Sequence, residues 1–115
     1  MAMSNEEIVL CGASAYNKKY YLNENFTGLP DTIKDELRIM CVLFTEDVGG
    51  ILQLVFNEYG ELEFRTSCDE NDLLYDEIGS VLKIKQYQNT KRELLESVET
   101  YYRIMFLGEG FDEEE

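Results

Sequence analysis

The chain contains no histidine. That absence removes the side chain best suited to general-base work near neutral pH and the commonest metal ligand. Serine triads and histidine-based zinc hydrolase sites are excluded with it. A catalytic site would have to be assembled from carboxylates, tyrosines or a cysteine whose pKa values the fold has shifted. A non-enzymatic role is therefore favoured, and no cofactor is expected. Basic residues are scarce as well: ten Lys and Arg stand against twenty-four Asp and Glu, for a formal charge of −14 on 115 residues. Such a surface opposes direct contact with nucleic-acid phosphates or anionic membranes and suits basic proteins or cations. The bland alternative is that the charge serves solubility alone.

Three cysteines, Cys11, Cys41 and Cys68, form no CxxC motif, and an odd number cannot all pair within one chain. Buried free thiols and a cytoplasmic setting are the expectation. The run Ile8 to Cys11 followed by Ala13-Ser14-Ala15 imitates a signal peptide, but Glu6 and Glu7 stand where positive charge belongs. No stretch approaches the eighteen or so apolar residues that span a bilayer. With one proline and no Gly/Ser-rich segment there is no linker. One domain over residues 1–108 is expected, with an acidic tail over 109–115. Hydrophobic residues at 44% and aromatics at 12% are enough for a packed core.

What is present reads as an α+β domain, an antiparallel hairpin sheet packed against about three helices. Ile8 to Cys11 and Lys19 to Leu22 fit two short strands. After Pro30, the positions Ile33, Leu37, Met40, Cys41, Phe44 and Val48 follow helical spacing, and Gly49-Gly50 supplies a stop. The unbroken run Ile39 to Phe44 fits a buried strand equally well, or a helix enclosed on several sides. Leu52, Leu54 and Phe56 share one face of a strand, and Leu62, Phe64 and Thr66 alternate with Glu61, Glu63 and Arg65 on the next. Asn57 to Gly60 fits the turn between them. Ile51, Gln53 and Val55 make the other face of the first strand mostly apolar, which calls for cover from another element or chain. A second helix is expected to start near Asp69 to Asp72 with Leu74, Ile78, Val81 and Leu82 on one side. A third opens with Thr90 and Glu93 spaced as a capping box, carries Leu94, Leu95, Val98, Tyr101, Tyr102, Met105 and Phe106, and ends at Gly108.

The stretches Ile8 to Gly12, Lys34 to Gly50 and Leu74 to Lys85 resemble a family of short acidic bacterial proteins of unknown function, a likeness covering roughly residues 8–108. It implies a bacterial cytoplasmic setting and assigns no activity or site. The order of helix, Gly-Gly, hairpin and helix is similar to that of small roadblock or profilin-like modules, a likeness of fold only.

Two acidic groups invite a functional reading. Asp69, Glu70, Asp72, Asp76 and Glu77 offer oxygen ligands that hard cations prefer, with Asp69, Asp72, Asp76 and Glu77 as the metal candidates. They fail the EF-hand pattern, because Leu74 stands where glycine is required and Ser80 where an acid is. Their structural reading is capping of a helix N-terminus. Glu46 and Asp47 fall in the last turn of the first helix, where the dipole makes acids unfavourable by about 0.3 to 1 kcal/mol each; a cationic partner would reverse that. Eight tyrosines are many for this length. Tyr20-Tyr21 and Tyr101-Tyr102 are interface candidates, each pair reading alternatively as one ring in the core and one at its rim.

The leading expectation is thus a non-enzymatic interaction or adaptor module, with a basic protein or a second copy as partner. The alternatives are a small-ligand or divalent-cation binding regulatory domain and, more weakly, a DNA mimic.

Overall fold

The computed structural model describes residues 7–108. Within them β1 (Ile8–Ser14) and β2 (Lys19–Leu22) form a first hairpin, and a single 3-10 turn (Glu24–Phe26) leads into α1 (Asp31–Val48). β3 (Ile51–Phe56) and β4 (Leu62–Ser67) form a second hairpin, followed by α2 (Glu77–Thr90) and α3 (Arg92–Phe106). The strands make one antiparallel sheet in the order β2-β1-β3-β4, so the hairpins meet along β1 and β3. This is the α+β architecture expected, and the run Ile39 to Phe44 is helical, inside α1. The acidic tail beyond Gly108 lies outside the described residues.

Local rules account for most boundaries. α1 starts straight after Pro30, whose fixed φ suits a helix entry, and Gly49, at φ 84°, returns its N–H to the Thr45 carbonyl at 2.8 Å. Between them Leu37, Met40, Cys41, Phe44 and Val48 bury one face. The second hairpin turns where expected, with Gly60 in the left-handed conformation at φ 81°. β1 runs past Cys11 to Ser14, longer than its apolar run suggests. Gly12 permits this, because a Cβ there would lie 2.8 Å from the Leu52 carbonyl oxygen. A bulge at Leu10, between the pairs Val9↔Val55 and Cys11↔Leu54, lets Leu10 and Cys11 both be fully buried.

All three helices lie on one face of the sheet, where Cys11, Ala13, Leu52, Leu54 and Phe56 point. α1 covers the middle of that face. Tyr87 of α2 reaches Phe64 and Phe44 with ring centroids 6.4 and 6.3 Å away. α3 stacks Tyr102 on Phe56 at 4.1 Å. Phe26, from the 3-10 turn, fills the centre of this aromatic cluster, 5.6 Å from Phe56 and 4.9 Å from Phe106.

Among the described residues the opposite face carries no helix, yet Val55 is only 3% exposed there. Arg65 of β4 donates through Nη1 and Nη2 to the two Glu7 carboxylate oxygens at 2.7 and 2.6 Å, and through Nη2 to Glu63 at 2.7 Å. This ion bridge runs from β4 across β3 at Val55 to the start of β1. The cover anticipated for that face is therefore internal at Val55, whereas Gln53 stays exposed and Ile51 half-buried.

Two helix starts differ from the sequence reading. α2 begins at Glu77 rather than near Asp69 to Asp72, because Asp76 takes the capping position and accepts the Gly79 N–H at 2.9 Å. The Thr90 to Glu93 capping box does not form. The Thr90 hydroxyl donates to the Gln86 carbonyl at 2.9 Å, within the last turn of α2, and α3 starts after Lys91 with no side-chain cap.

Candidate functional site

α1 and α2 run antiparallel side by side. Asp47 near the end of α1 pairs with Lys83 in the first half of α2 at 2.5 Å, and Glu36 near the start of α1 shares a cleft with Asn89 to Lys91 at the far end of α2. The ion pair answers the oddity of an acid at a helix C-terminus: the ammonium offsets the unfavourable dipole. Asp47 in turn holds the Lys83 amine above its usual range, chiefly through their hydrogen bond. Lys83 also lies 5.8 Å over the ring of Tyr87.

α2 turns Ser80, Ile84 and Tyr87 inward. Its other side carries Ile78, Val81 and Leu82, the stripe that sequence periodicity assigns to the core. Here that assignment is corrected: Ile78 is 76% exposed, and Val81 and Leu82 are at least half exposed. On α1, Ile39 and Leu43 are also at least half exposed, one turn apart on its solvent side. Ile39 and Leu43 on one helix and Ile78 and Leu82 on the other, each pair one turn apart, thus leave apolar side chains on the solvent side of the helical layer. Just before α2, Leu73 and Leu74 are 95% and 91% exposed. Glu36 and Glu46 on α1 and Asp76 and Glu77 at the start of α2 are exposed in the same layer, with Lys85 the exposed cation one turn beyond Val81 and Leu82.

Residues 69–75 hold these leucines outward through a clip of their own. The Tyr16 hydroxyl, at the tip of the first hairpin, donates to Asp72 Oδ2 at 2.5 Å and accepts the Asp69 N–H at 2.9 Å. Asp72 Oδ1 accepts the Leu74 N–H at 2.9 Å, and the Asp76 N–H donates to the Val48 carbonyl at 2.9 Å. The Tyr16 hydrogen bond raises the phenol pKa and lowers that of Asp72. Because the folded-state pKa of Asp72 is depressed, its contribution is present at neutral pH and is lost as pH falls through and below the usual carboxylate range. Tyr16→Phe is expected to quicken limited proteolysis at Leu73 and Leu74 severalfold at pH 7. The difference from the parent chain should shrink when both are digested in acid.

The sequence-derived interaction candidates separate into three places, and the metal candidates into two more. Tyr20, Glu46 and Asp47 come together, with Lys18 and Lys19, around a cleft of about 620 Å³ beside the end of α1, where Leu74 forms one wall. Tyr21 is exposed on the helix-free face of the sheet. Tyr101 is half-buried over Phe26 and Tyr102 is core, the arrangement of one ring inside and one at the rim that the pair's structural reading has. Asp76 caps α2, as its structural reading has it, whereas Asp69 and Asp72 belong to the Tyr16 clip. Among the described residues, no three carboxylate or thiol side chains converge in a group that could hold a metal ion. Cys11 and Cys41 are buried and Cys68 is exposed. Sequence reasoning missed Ile39, Leu43 and Leu73. The one available signal was an α1 stretch apolar around its whole circumference.

Fold and surface define a small antiparallel α+β domain whose helical layer displays an apolar face. The chain belongs to a family of unknown function, DUF6145, whose family model matches residues 7–110. No curated protein and no solved structure matches it, so the similarity of its element order to roadblock or profilin-like modules carries no argument. Among the described residues no helix is long and apolar enough to cross a membrane.

Proposed function

We propose that the chain is a non-enzymatic protein-interaction module of the bacterial cytoplasm. Its docking face is the outward side of α1 and α2, and its partner is a protein whose contacting segment carries apolar side chains flanked by Lys or Arg. The observation that carries this reading is the reversed stripe of α2. A helix of a free-standing domain turns its apolar stripe inward, whereas this one leaves Ile78, Val81 and Leu82 in water. Burying each such side chain against a partner contributes up to about 1.5–3 kcal/mol, so a few of them sustain a specific complex. The exposed acids of this layer and the charge of −14 select a basic partner and raise its on-rate. The same charge works against a second copy, which would bring like-signed surfaces together.

The test is capture of the tagged chain from its native cells at low and high salt, beside the double variant Leu43→Glu, Leu82→Glu. Both side chains are already half in water, so the variant should melt within a few degrees of the parent. A stoichiometric basic protein bound by the parent and absent from the variant supports the reading. Partners retained equally by both would overturn it. A complex insensitive to the variant but abolished by salt alone points to charge mimicry, and a dimer in sedimentation that the variant disperses points to self-association.

A second reading, a small-ligand regulatory domain, draws on the cleft that gathers Lys18, Lys19, Glu46 and Tyr20. Charges of both signs over an apolar floor suit a small zwitterion. Such a ligand would raise the melting temperature in proportion to its saturation.

A further inference from the structure

Cys11 and Cys41 come from opposite sides of the helix–sheet interface, yet their sulfurs lie only 3.9 Å apart with both residues fully buried. Cys11 sits in the middle of β1, paired on one side with Leu22 and on the other with Leu54. Cys41 projects from the core face of α1 directly over it. The Tyr20 hydroxyl is buried beside the two thiols and has no oxygen or nitrogen partner among the described residues. Nothing in the docking function uses this pair. From its geometry we infer a latent disulfide: Cys11 and Cys41 form a cross-link that staples α1 to the sheet when a peroxide reaches the interface.

The required movement is small. Sulfurs in contact at 3.9 Å must close to about 2.05 Å, a step that side-chain rotation and slight settling of α1 can supply. The chemistry balances with hydrogen peroxide as oxidant. One thiolate attacks the O–O bond and becomes a sulfenic acid as the first water leaves. The second sulfur then attacks the sulfenic sulfur, the S–S bond forms, and the second water departs. Two thiols are oxidised by two electrons, one peroxide is reduced, and both thiol hydrogens end in the two waters.

In the closed fold the pair resists this reaction. Its partner thiol and its burial push the Cys41 pKa up, which keeps the sulfur protonated, and no solvent touches either group. Oxidation therefore proceeds through transient opening of α1 from the sheet, at a rate that tracks the population of the open form. Once closed, the link spans thirty residues of chain and restricts the unfolded state. It also fixes the helix that carries Ile39 and Leu43, so the device would hold one wall of the docking face under oxidant.

The experiment uses the full chain with Cys68→Ser, an exposed position whose replacement leaves the core intact and prevents intermolecular pairing. The protein is incubated with hydrogen peroxide at rising, sub-denaturing urea and followed by intact mass and by non-reducing peptide mapping. The expected result is loss of two hydrogens, a single Cys11–Cys41 cross-linked peptide and a rate that climbs with urea in step with amide exchange in α1. The cross-linked protein should melt higher by roughly 8–15 °C, and a thiol reductant should restore the original midpoint. Oxygen addition to either cysteine without a cross-link, thiols that remain untouched where α1 amides exchange, or a cross-linked form that melts lower would each overturn the inference.

Discussion

Phe26→Ala should lower the unfolding free energy by about 3–5 kcal/mol, the upper range for truncating one buried aromatic. Phe26 is fully buried and belongs to a 3-10 turn rather than to a helix or strand, so local structure contributes little to holding it. Its ring is the shared contact of three rings on two elements: Phe56 of β3 at 5.6 Å, Tyr102 of α3 at 6.2 Å and Phe106 of α3 at 4.9 Å. Removing it leaves a void that the sheet and α3 cannot both close. A domain of this size holds roughly 5–15 kcal/mol in all, so the variant would sit near the edge of stability. Urea unfolding followed by circular dichroism measures the loss, and Phe26→Leu, which refills most of the volume, should recover more than half of it. A loss below about 1 kcal/mol would mean that the aromatic cluster does not hold α3 to the sheet.

The architecture was legible wherever one local signal had no rival. α1 carries a helix-entry proline, a spaced apolar face and a glycine stop, and its bounds fall where those residues put them. The β3–β4 hairpin is equally plain, because Leu62, Phe64 and Thr66 alternate with acids and arginine around a glycine turn. α2 was misread because two stripes compete within it. Ile78, Val81 and Leu82 outweigh Ser80, Ile84 and Tyr87 on any hydropathy count. The fold nevertheless seats the second set inward, since Ser80 hydrogen-bonds to Tyr75 at 3.0 Å and Tyr87 meets Phe44. Periodicity reports how apolar a face is, not which neighbour it meets. That is a tertiary fact set by Asp47–Lys83 and by the aromatic seat of Tyr87.

The same limit governed the candidate site. Charge placement at Asp47 was informative, because an acid against a helix dipole needs a cation, and the structure supplies Lys83 from within the chain. Composition does not say which ring of a tyrosine pair turns inward: Tyr102 completes the Phe26 cluster with Tyr101 half-buried at its rim, and Tyr21 is exposed on the sheet beside a half-buried Tyr20. The display of Leu73 and Leu74 depends on the Tyr16–Asp72 hydrogen bond, whose partners lie 56 residues apart. No short-range pattern encodes a contact of that span.

Gly50→Ala is the second substitution expected to act strongly, at roughly 3–4 kcal/mol, and it joins stability to function. Its φ of 72° alone costs an L-residue about 1–2 kcal/mol. A Cβ there would also fall 2.6 Å from the Ser67 carbonyl oxygen and 2.8 Å from the ring of Tyr75. The Ser67 oxygen belongs to the last pair of the β3–β4 ladder and cannot retreat without breaking register. The ring of Tyr75 must therefore shift. Tyr75 is tied to Ser80 through its hydroxyl, and its neighbour Asp76 is tied to the Val48 carbonyl, so the shift displaces the start of α2 and the outward leucines before it. Gly108→Ala separates the two contributions: its φ is the same 72°, but no atom of the described residues lies within 4 Å of the added methyl, so that variant should lose only about 1–2 kcal/mol of backbone strain. Chemical denaturation of the pair reads the difference directly. If Gly50→Ala also weakens capture of the partner at temperatures where it is still folded, while Gly108→Ala does not, the junction of α1, β3 and the 69–75 loop is what sets the docking face. Equal losses in the two variants would show instead that strain alone acts at Gly50, and that Tyr75 and the ridge beyond it are free to yield.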